Sequence, residues 1–289
     1  MAVLIDPPRW PAHGTVFGHL VSDESLDELH AFARRTGLPP RAFDHDHYDV
    51  PVSRYDELIA AGAVPLDERE LARRLTASGL RVRIHHKTPT RRAAGAVVVA
   101  AWERLGLPPA LRDGLLERWG EPHRHYHDVR HLAQCLAALG QLGGGDRVVE
   151  LAAWFHDAVY DGVPGQDEEE SARLAEVSLK GLIPADDAAE VSRLVRMTAD
   201  HSPDDHRGAL LSDADLSILG QIPGRYHVYV RDVRLDYAHV DDGAWRVGRA
   251  SVLRRLLGLE PLFRTGPGRE LWEPRARRNL ADELAALES

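Results

Sequence analysis

Three interruptions of otherwise apolar stretches carry the residues best suited to chemistry. Tyr126–His131 reads YHDVRH and sets His127 and His131 four apart, which on a helix is one face. Leu151–Asp161 reads LAAWFHDAVYD, with His156 and Asp157 adjacent among Leu151, Ala152, Trp154, Phe155 and Val159. Asp213–Leu219 reads DADLSIL, carboxylates again set in an apolar helix. A fourth segment, TADH at Thr198–His201, ends a predicted helix. A buried carboxylate beside a buried imidazole is costly unless something compensates it, and a divalent metal does so directly. Imidazole and carboxylate together suit Mn, Mg, Co, Zn or Fe without choosing among them. The use of such an ion is to lower the pKa of water and supply hydroxide at neutral pH. Each segment alone has a plainer account: a buried His is usually a hydrogen-bonded core residue, and Asp157 or Asp213 can cap a helix. The conjunction, in this chain order, points to a metal.

Ligands drawn from three segments need three helices to position them, as in a bundle. The pattern from Ala96 onward predicts these: Ala96–Leu105, Pro109–Trp119, His127–Leu139, Asp146–Tyr160, Glu168–Leu179, Asp186–His201, Leu210–Leu219, Gly224–His239, Ala244–Leu257 and Pro274–Leu287. Before them lies a mixed segment. Val3–Ile5 suits a short strand, and Asp6-Pro7-Pro8 ends it. Ser25 caps a helix through Arg35, with Leu26, Leu29, Phe32 and Ala33 on one face and Gly37 stopping it. Ser53 and Asp67 start two further helices, and alternation over Leu80–His85 predicts a second strand. Lys87–Gly95, rich in Pro, Thr, Arg and Gly, reads as a linker. The expected fold is mainly α: a small α/β domain over residues 1–87, then an all-helical domain over 96–289.

Composition narrows the partners. The 289 residues are 44% hydrophobic and 28% charged, which suits folded domains and not a disordered chain. A net charge of -9 with no long basic stretch makes nucleic acid a weak candidate. No apolar run is long enough to span a bilayer, so no membrane partner is expected. The single cysteine, Cys135, excludes an internal disulfide, and MAVLIDPPRW lacks the features of a signal peptide; a cytoplasmic protein is expected. A homo-oligomer is left open.

From Ala96 onward the order and contexts of these motifs resemble the HD superfamily of metal-dependent phosphohydrolases, which is all-helical. The similarity is strongest to a bacterial branch of phosphohydrolases without a settled substrate. It runs through YHxxxH, WFHDAVYD, the acidic stretch Glu168-Glu169-Glu170 before Ser171-Ala172, DADLSILG, Val233–Tyr237 and Asn279. The resemblance implies His131, His156, Asp157 and Asp215 as ligands of a divalent metal. Asp215 is chosen over Asp213 because ADLS is similar to the last ligand segment of the cyclic-nucleotide phosphodiesterases. In those enzymes a histidine four residues before the first ligand is the general acid, which implies that role for His127; the plainer account is a residue that orients His131 or Asp157.

The same resemblance makes Glu168 and Glu169 candidates for orienting water or holding a second metal, against a solvated first helical turn. His201 is a candidate for a second metal or a substrate phosphate, against a favourable helix C-terminal histidine. Arg234, one turn from Tyr237, could clamp a phosphate, with Arg231 as the alternative. The implied activity is hydrolysis of a phosphoester of a small metabolite or nucleotide. Two alternatives stand beside it: a di-iron oxygenase on the same scaffold, needing extra ligands that His201 and Glu169 could provide, and a nucleotide-binding regulatory protein with little turnover.

Residues 1–86 resemble a small bacterial domain of unknown function, through DPPRWPAHG, GHLVSD, ELHAFA and DHDHYDVP. His13, His19, His30, His45, His47, Asp44, Asp46 and Asp49 could make up a metal set. In an extended segment, however, His45 and His47 point together while the alternating acids face away. A loop with internal Asp hydrogen bonds accounts for the same residues, so a structural or substrate-contact role is expected there.

Overall fold

A computed structural model describes residues 2–163 and 165–288. Packing divides the chain into two units, Met1–Lys87 with Ile222–Arg231, and Thr88–Gln221 with Asp232–Ser289. The α/β character of the N-terminal region and the helical character of the C-terminal region are as expected.

The first unit runs β1 (Val3–Ile5), β2 (Trp10–Ala12), β3 (Thr15–Ser22), α1 (Leu26–Thr36), β4 (Tyr48–Pro51), α2 (Tyr55–Ala60), β5 (Val64–Pro65) and α3 (Glu68–Ala77). β3 is the hub of the sheet, pairing antiparallel with β1, β2 and β4, while β5 pairs parallel with β1. His13 and Gly14 join β2 to β3 with φ of 49° and 77°. Positive φ at both central residues is the primed turn that matches strand twist. Ser25 caps α1 by accepting from Glu28 N, and Gly37 stops it in the left-handed conformation. Caps of this kind contribute about 1 kcal/mol. Leu26, Leu29, Phe32 and Ala33 of α1 pack against Val3, Ile5, Leu20 and Val50, and Val228 joins the same core.

Two local expectations fail here. α2 begins at Tyr55, after a 3-10 turn over Val52–Arg54, and has no side-chain cap, so Ser53 does not start it. Leu80–His85 forms no strand among the described residues. Val82 is buried, but its N–H goes to the Asp46 carboxylate and not to a neighbouring strand. Alternation reported one-sided burial of an extended segment, which does not require a ladder.

The second unit contains α4 (Arg91–Leu105), α5 (Pro109–Trp119), α6 (Val129–Gln141), α7 (Arg147–Phe155), α8 (Gln166–Leu179), α9 (Ala185–Met197), α10 (His206–Asp215), the end of α11 (Pro223–Asp236), α12 (Asp242–Leu257), α13 (Gly266–Leu271) and α14 (Glu273–Glu288). Thr90 caps α4 by accepting from Ala93 N. The helix therefore takes in Arg91–Gly95, which composition had suggested as linker. α6 packs against α4, α7 and α10, and α7 also packs against α9 and α10. At their centre Trp102 and Trp154 meet edge to face at 4.8 Å, and Trp119 Nε1 donates to Trp154 O at 3.0 Å. The Trp102 and Trp119 indole N–H groups each meet a backbone carbonyl, which gives this core a fixed geometry, while that of Trp154 is buried without a partner among the described residues. No helix of the described residues is long and apolar enough to cross a membrane.

Candidate metal centre

Three helix ends deliver the side chains. Asp128 is extended (φ -114°, ψ -173°) and its carboxylate accepts from Arg130 N, so α6 starts at Val129 and carries His131 in its first turn. α7 stops at Phe155, and His156 and Asp157 follow it instead of interrupting it. α10 ends on Asp215. His131 and His156 are only 2% and 1% exposed.

These four groups converge. The Nε2 atoms of His131 and His156 lie 3.0 Å apart. Asp215 Oδ1 stands 3.0 Å from His131 Nε2 and 3.6 Å from His156 Nε2. Asp157 Oδ2 stands 3.5 Å and 3.2 Å from the same two nitrogens. His156 Nδ1 is 2.8 Å from Ala153 O, an acceptor, which puts a proton on Nδ1 and turns Nε2 toward the cluster. Two nitrogens on one ion at ~2.1 Å, held near a right angle, stand ~3 Å apart. The donor set therefore fits a divalent ion.

The electrostatics agree in sign. Burial disfavours charge on His156, but Asp157 and Asp215 overcome it and push its pKa well above the usual range. Burial also opposes ionisation of Asp157 and Asp215, yet the histidines hold both below the ordinary carboxylate value. Two ionised carboxylates facing these nitrogens make a field that favours a cation.

Two residues near this cluster escaped sequence reasoning as chemical groups. Cys135, one turn after His131, has its Sγ 3.6 Å from His131 Nε2. Burial pushes the thiol's pKa well up, reinforced by Asp215 and Asp157. Arg124 is fully buried and donates to the carbonyls of Asp157 (2.6 Å), Ala158 (3.2 Å) and His127 (3.2 Å), with Glu121 Oε2 at 2.9 Å. It ties the loop before α6 to the segment after α7. Its only sequence signal was an arginine inside a histidine-rich run.

His127 reaches the cluster by a different route from the one expected. It precedes α6, so helical spacing does not align it with His131. A carboxylate does the work: Asp236 accepts from His127 Nδ1 at 2.8 Å and also from the backbone N–H groups of His125, Tyr126 and His127. Burial raises the Asp236 pKa, but these donors, His127 first, hold it below the ordinary value. The His127 ring stacks on Tyr160 at 4.2 Å and lies 5.7 Å from the His131 ring.

The remaining candidates divide. His201 lies beyond α9 in the left-handed conformation (φ 54°). Its Nε2 is 3.6 Å from Asp215 Oδ2 and its Nδ1 3.2 Å from Ser212 Oγ; burial lowers its pKa. Asp213 faces away from the histidines and accepts from Arg264 N, Thr265 N and Thr265 Oγ1 at 2.7–2.8 Å, anchoring the start of α13. Glu168 closes the start of α8 by accepting from Gly165 N at 2.6 Å, and burial raises its pKa. Glu169 is held on the surface by Arg196 (2.6 Å) and Arg173 (2.9 Å). Arg234 donates to Tyr237 O, Val240 O and Asp242 and lies over Trp245, which occupies it at the end of α11. Arg231, its alternative, donates to Phe43 O within the first unit. The Tyr237 ring packs against Trp245 at 5.5 Å. The cluster thus gathers His127, His131, His156, Asp157, His201 and Asp215, and leaves out Glu169 and Arg234.

Residues 3–78 match the family model of a protein of unknown function (DUF4031). The N-terminal region therefore carries a DUF4031 domain, which spans β1 to α3. Searches of curated proteins and of solved structures return no match to this chain.

Proposed function

We propose that the helical unit is a metal-dependent phosphohydrolase of the HD superfamily, acting on a phosphoester of a small metabolite or nucleotide. One observation carries this reading: two imidazole nitrogens lie 3.0 Å apart, and each of two carboxylates stands 3.0–3.6 Å from both of them, the four side chains coming from three helix ends. His131, His156, Asp157 and Asp215 would hold the ion. When bound, a divalent ion supplies Lewis acidity and makes hydroxide available from water at neutral pH.

The protein's own groups do the rest. The Ala153 carbonyl keeps His156 Nε2 turned inward. Asp236 occupies His127 Nδ1, so Nε2 is the atom that hands a proton to the departing oxygen. Arg124 grips the carbonyls of His127 and Asp157 together, which keeps acid and ligand at a constant spacing. The oxygenase alternative needs extra ligands; of the two candidates His201 stands 3.6 Å from Asp215 Oδ2, but the Glu169 carboxylate is engaged by Arg196 and Arg173. Hydrolysis is the reading that uses the residues as they lie.

The test is metal analysis of the full-length protein with a screen of phosphorylated metabolites. The wild type is expected to hold a divalent ion and hydrolyse at least one ester. His156→Ala and Asp215→Ala are each expected to lose ion and hydrolysis together. Unchanged metal content in both variants, or no hydrolysis of any phosphoester by the metal-replete protein, would sink the proposal.

A further inference from the structure

The DUF4031 sheet carries a second constellation, remote in sequence from the first. Register places His19 of β3 directly opposite Asp49 of β4. Directly paired residues point to the same face of a sheet, and so do residues two apart along a strand. His47, which immediately precedes β4, joins them: its ring lies 5.0 Å from that of His19. The ligand-type atoms of His19, His47 and Asp49 all lie within 4.8 Å of one another. His47 Nε2 and Asp49 Oδ1 are 3.4 Å apart. That is the edge of a tetrahedron around an ion with bonds of ~2.1 Å. Asp49 is half exposed, so a change of rotamer can close the remaining gap to His19.

The support behind the two rings is the stronger sign. His19 Nδ1 pairs with Asp6 Oδ2 at 3.0 Å, and His47 Nδ1 pairs with Asp46 Oδ1 at 2.6 Å. Asp6 and Asp46 are 1% and 0% exposed. Each ring thus gives its Nδ1 proton to a buried carboxylate and keeps Nε2 for another partner, which is how metal-binding histidines are oriented. Asp6 is pinned in turn by the His19 N–H, and it comes this close because residue 18 is glycine: a Cβ there would meet Asp6 O at 2.5 Å. Asp46 is pinned by Val82 N. The expected pairing of His45 with His47 does not supply the site. His45 is left-handed (φ 65°), so strand alternation does not extend back to it. The internal Asp hydrogen bonds expected for this loop do form, at Asp44–His45 and Asp46–His47, and the second of them stands behind a ring of the cluster.

We propose that His19, His47 and Asp49 form a three-ligand site for a first-row transition divalent ion, with its remaining positions open to solvent or to a substrate oxygen. Two imidazoles and one carboxylate suit Zn²⁺, Co²⁺ or Fe²⁺, and disfavour Ca²⁺ and Mg²⁺, which prefer all-oxygen shells. This inference does not rest on the reading of the helical unit.

Chelator-stripped full-length protein is titrated with Zn²⁺, and bound ions are counted by native mass spectrometry beside calorimetry. His19→Ala and Asp49→Asn are each expected to lose one Zn²⁺ per chain relative to wild type. His156→Ala should keep that ion, so the two sites fail or stand separately. Asp46→Asn should weaken it by roughly 10–100-fold, the usual effect of removing a carboxylate behind a ligating histidine. If His19→Ala does not fold, as judged by circular dichroism, Asp49→Asn decides, because that side chain is half exposed. Wild-type Zn²⁺ number and affinity in the folded variants would overturn the proposal and leave the triad as a hydrogen-bonded sheet ornament.

Discussion

Asp236 and His127 stand 109 residues apart in the chain and 2.8 Å apart in the fold, and the carboxylate also collects three backbone N–H groups from the loop before α6. The loop and its histidine are set by one anion. If His127 is the proton donor, His127→Ala should keep its metal and lose ~10²–10⁴ in turnover on alkyl phosphates. An aryl phosphate, whose leaving group needs no proton, should suffer far less. Parallel loss of metal, as in His131→Ala, would make His127 a ligand or its support.

Asp213 and Asp215 should separate stability from metal binding. Asp215→Asn is expected to lose the ion of the helical unit while the fold persists. Asp213→Ala leaves two backbone N–H groups and the Thr265 hydroxyl without their acceptor, at a cost of about 2–4 kcal/mol, with metal stoichiometry unchanged in the folded fraction. Urea unfolding and metal analysis on both variants check this. Exchanged phenotypes would reverse the assignment.

Arg124→Lys should not be conservative. Its fork serves three carbonyls and Glu121, and an ammonium cannot reach them all. A loss of about 2–4 kcal/mol is expected, read from the denaturation midpoint. A change under about 0.5 kcal/mol would show that the geometry around Asp157 does not depend on it.

Gly220→Ala tests the packing beside α10. A Cβ there would lie 2.3 Å from Trp272 Cβ and 2.7 Å from Trp272 Cα, and the latter is backbone that cannot swing away. Overpacking of this kind costs about 1–3 kcal/mol. Gly95→Ala, in α4 with open space around it, is the control and should be neutral or stabilising.

Acid should unfold the protein through its paired carboxylates. Asp23, Asp146 and Asp236 are all opposed by burial, yet partners hold them below their unfolded value of 3.8: Arg74 for the first, Arg207 for the second and His127 for the third. A depressed folded pKa contributes stability that is complete above the unfolded value and is lost as pH falls through the folded one. The contribution of these three carboxylates should therefore be flat near neutrality and decline below about pH 4. Asp213, raised by burial, works in the opposite direction, and Asp213→Asn should steepen the decline. A melting temperature unchanged between pH 6 and pH 3 would contradict this.

What could be read in the residues was local. Ser25, Gly37 and the apolar stripe of α1 announce themselves within twelve positions, because capping and amphipathicity are properties of one turn and the next. The hairpin β2–β3 passed unnoticed because Trp10–Ala12 is exposed throughout and shows no alternation; only the turn at His13-Gly14 marks it. Starting α6 at His127 overlooked that Asp128 is a good capping residue and ends the non-helical stretch. His131, His156, Asp157 and the pair Asp213 and Asp215 stand out in the sequence as polar residues in apolar surroundings, and only the resemblance separates Asp215 from Asp213. Arg124 and Asp236 do not stand out, since their meaning lies in backbone groups brought near from distant parts of the chain. Asp49 and His19 stand in the sequence as two of eight candidates, and their pairing is hidden for a related reason: it is fixed by strand register, which no single segment reveals.

Val228 lies in the core of the N-terminal unit, and Ile222–Arg231 belongs to that unit although 134 residues of the other separate it from Lys87. During synthesis the DUF4031 portion emerges first but stays incomplete until that late stretch has left the ribosome. The intervening helices have to be made while the early sheet still waits for its last piece. Gene fragments that stop at residue 87 would therefore yield a chain with a notch in its core, and a faithful excised version needs residues 222–231 grafted back on a short tether.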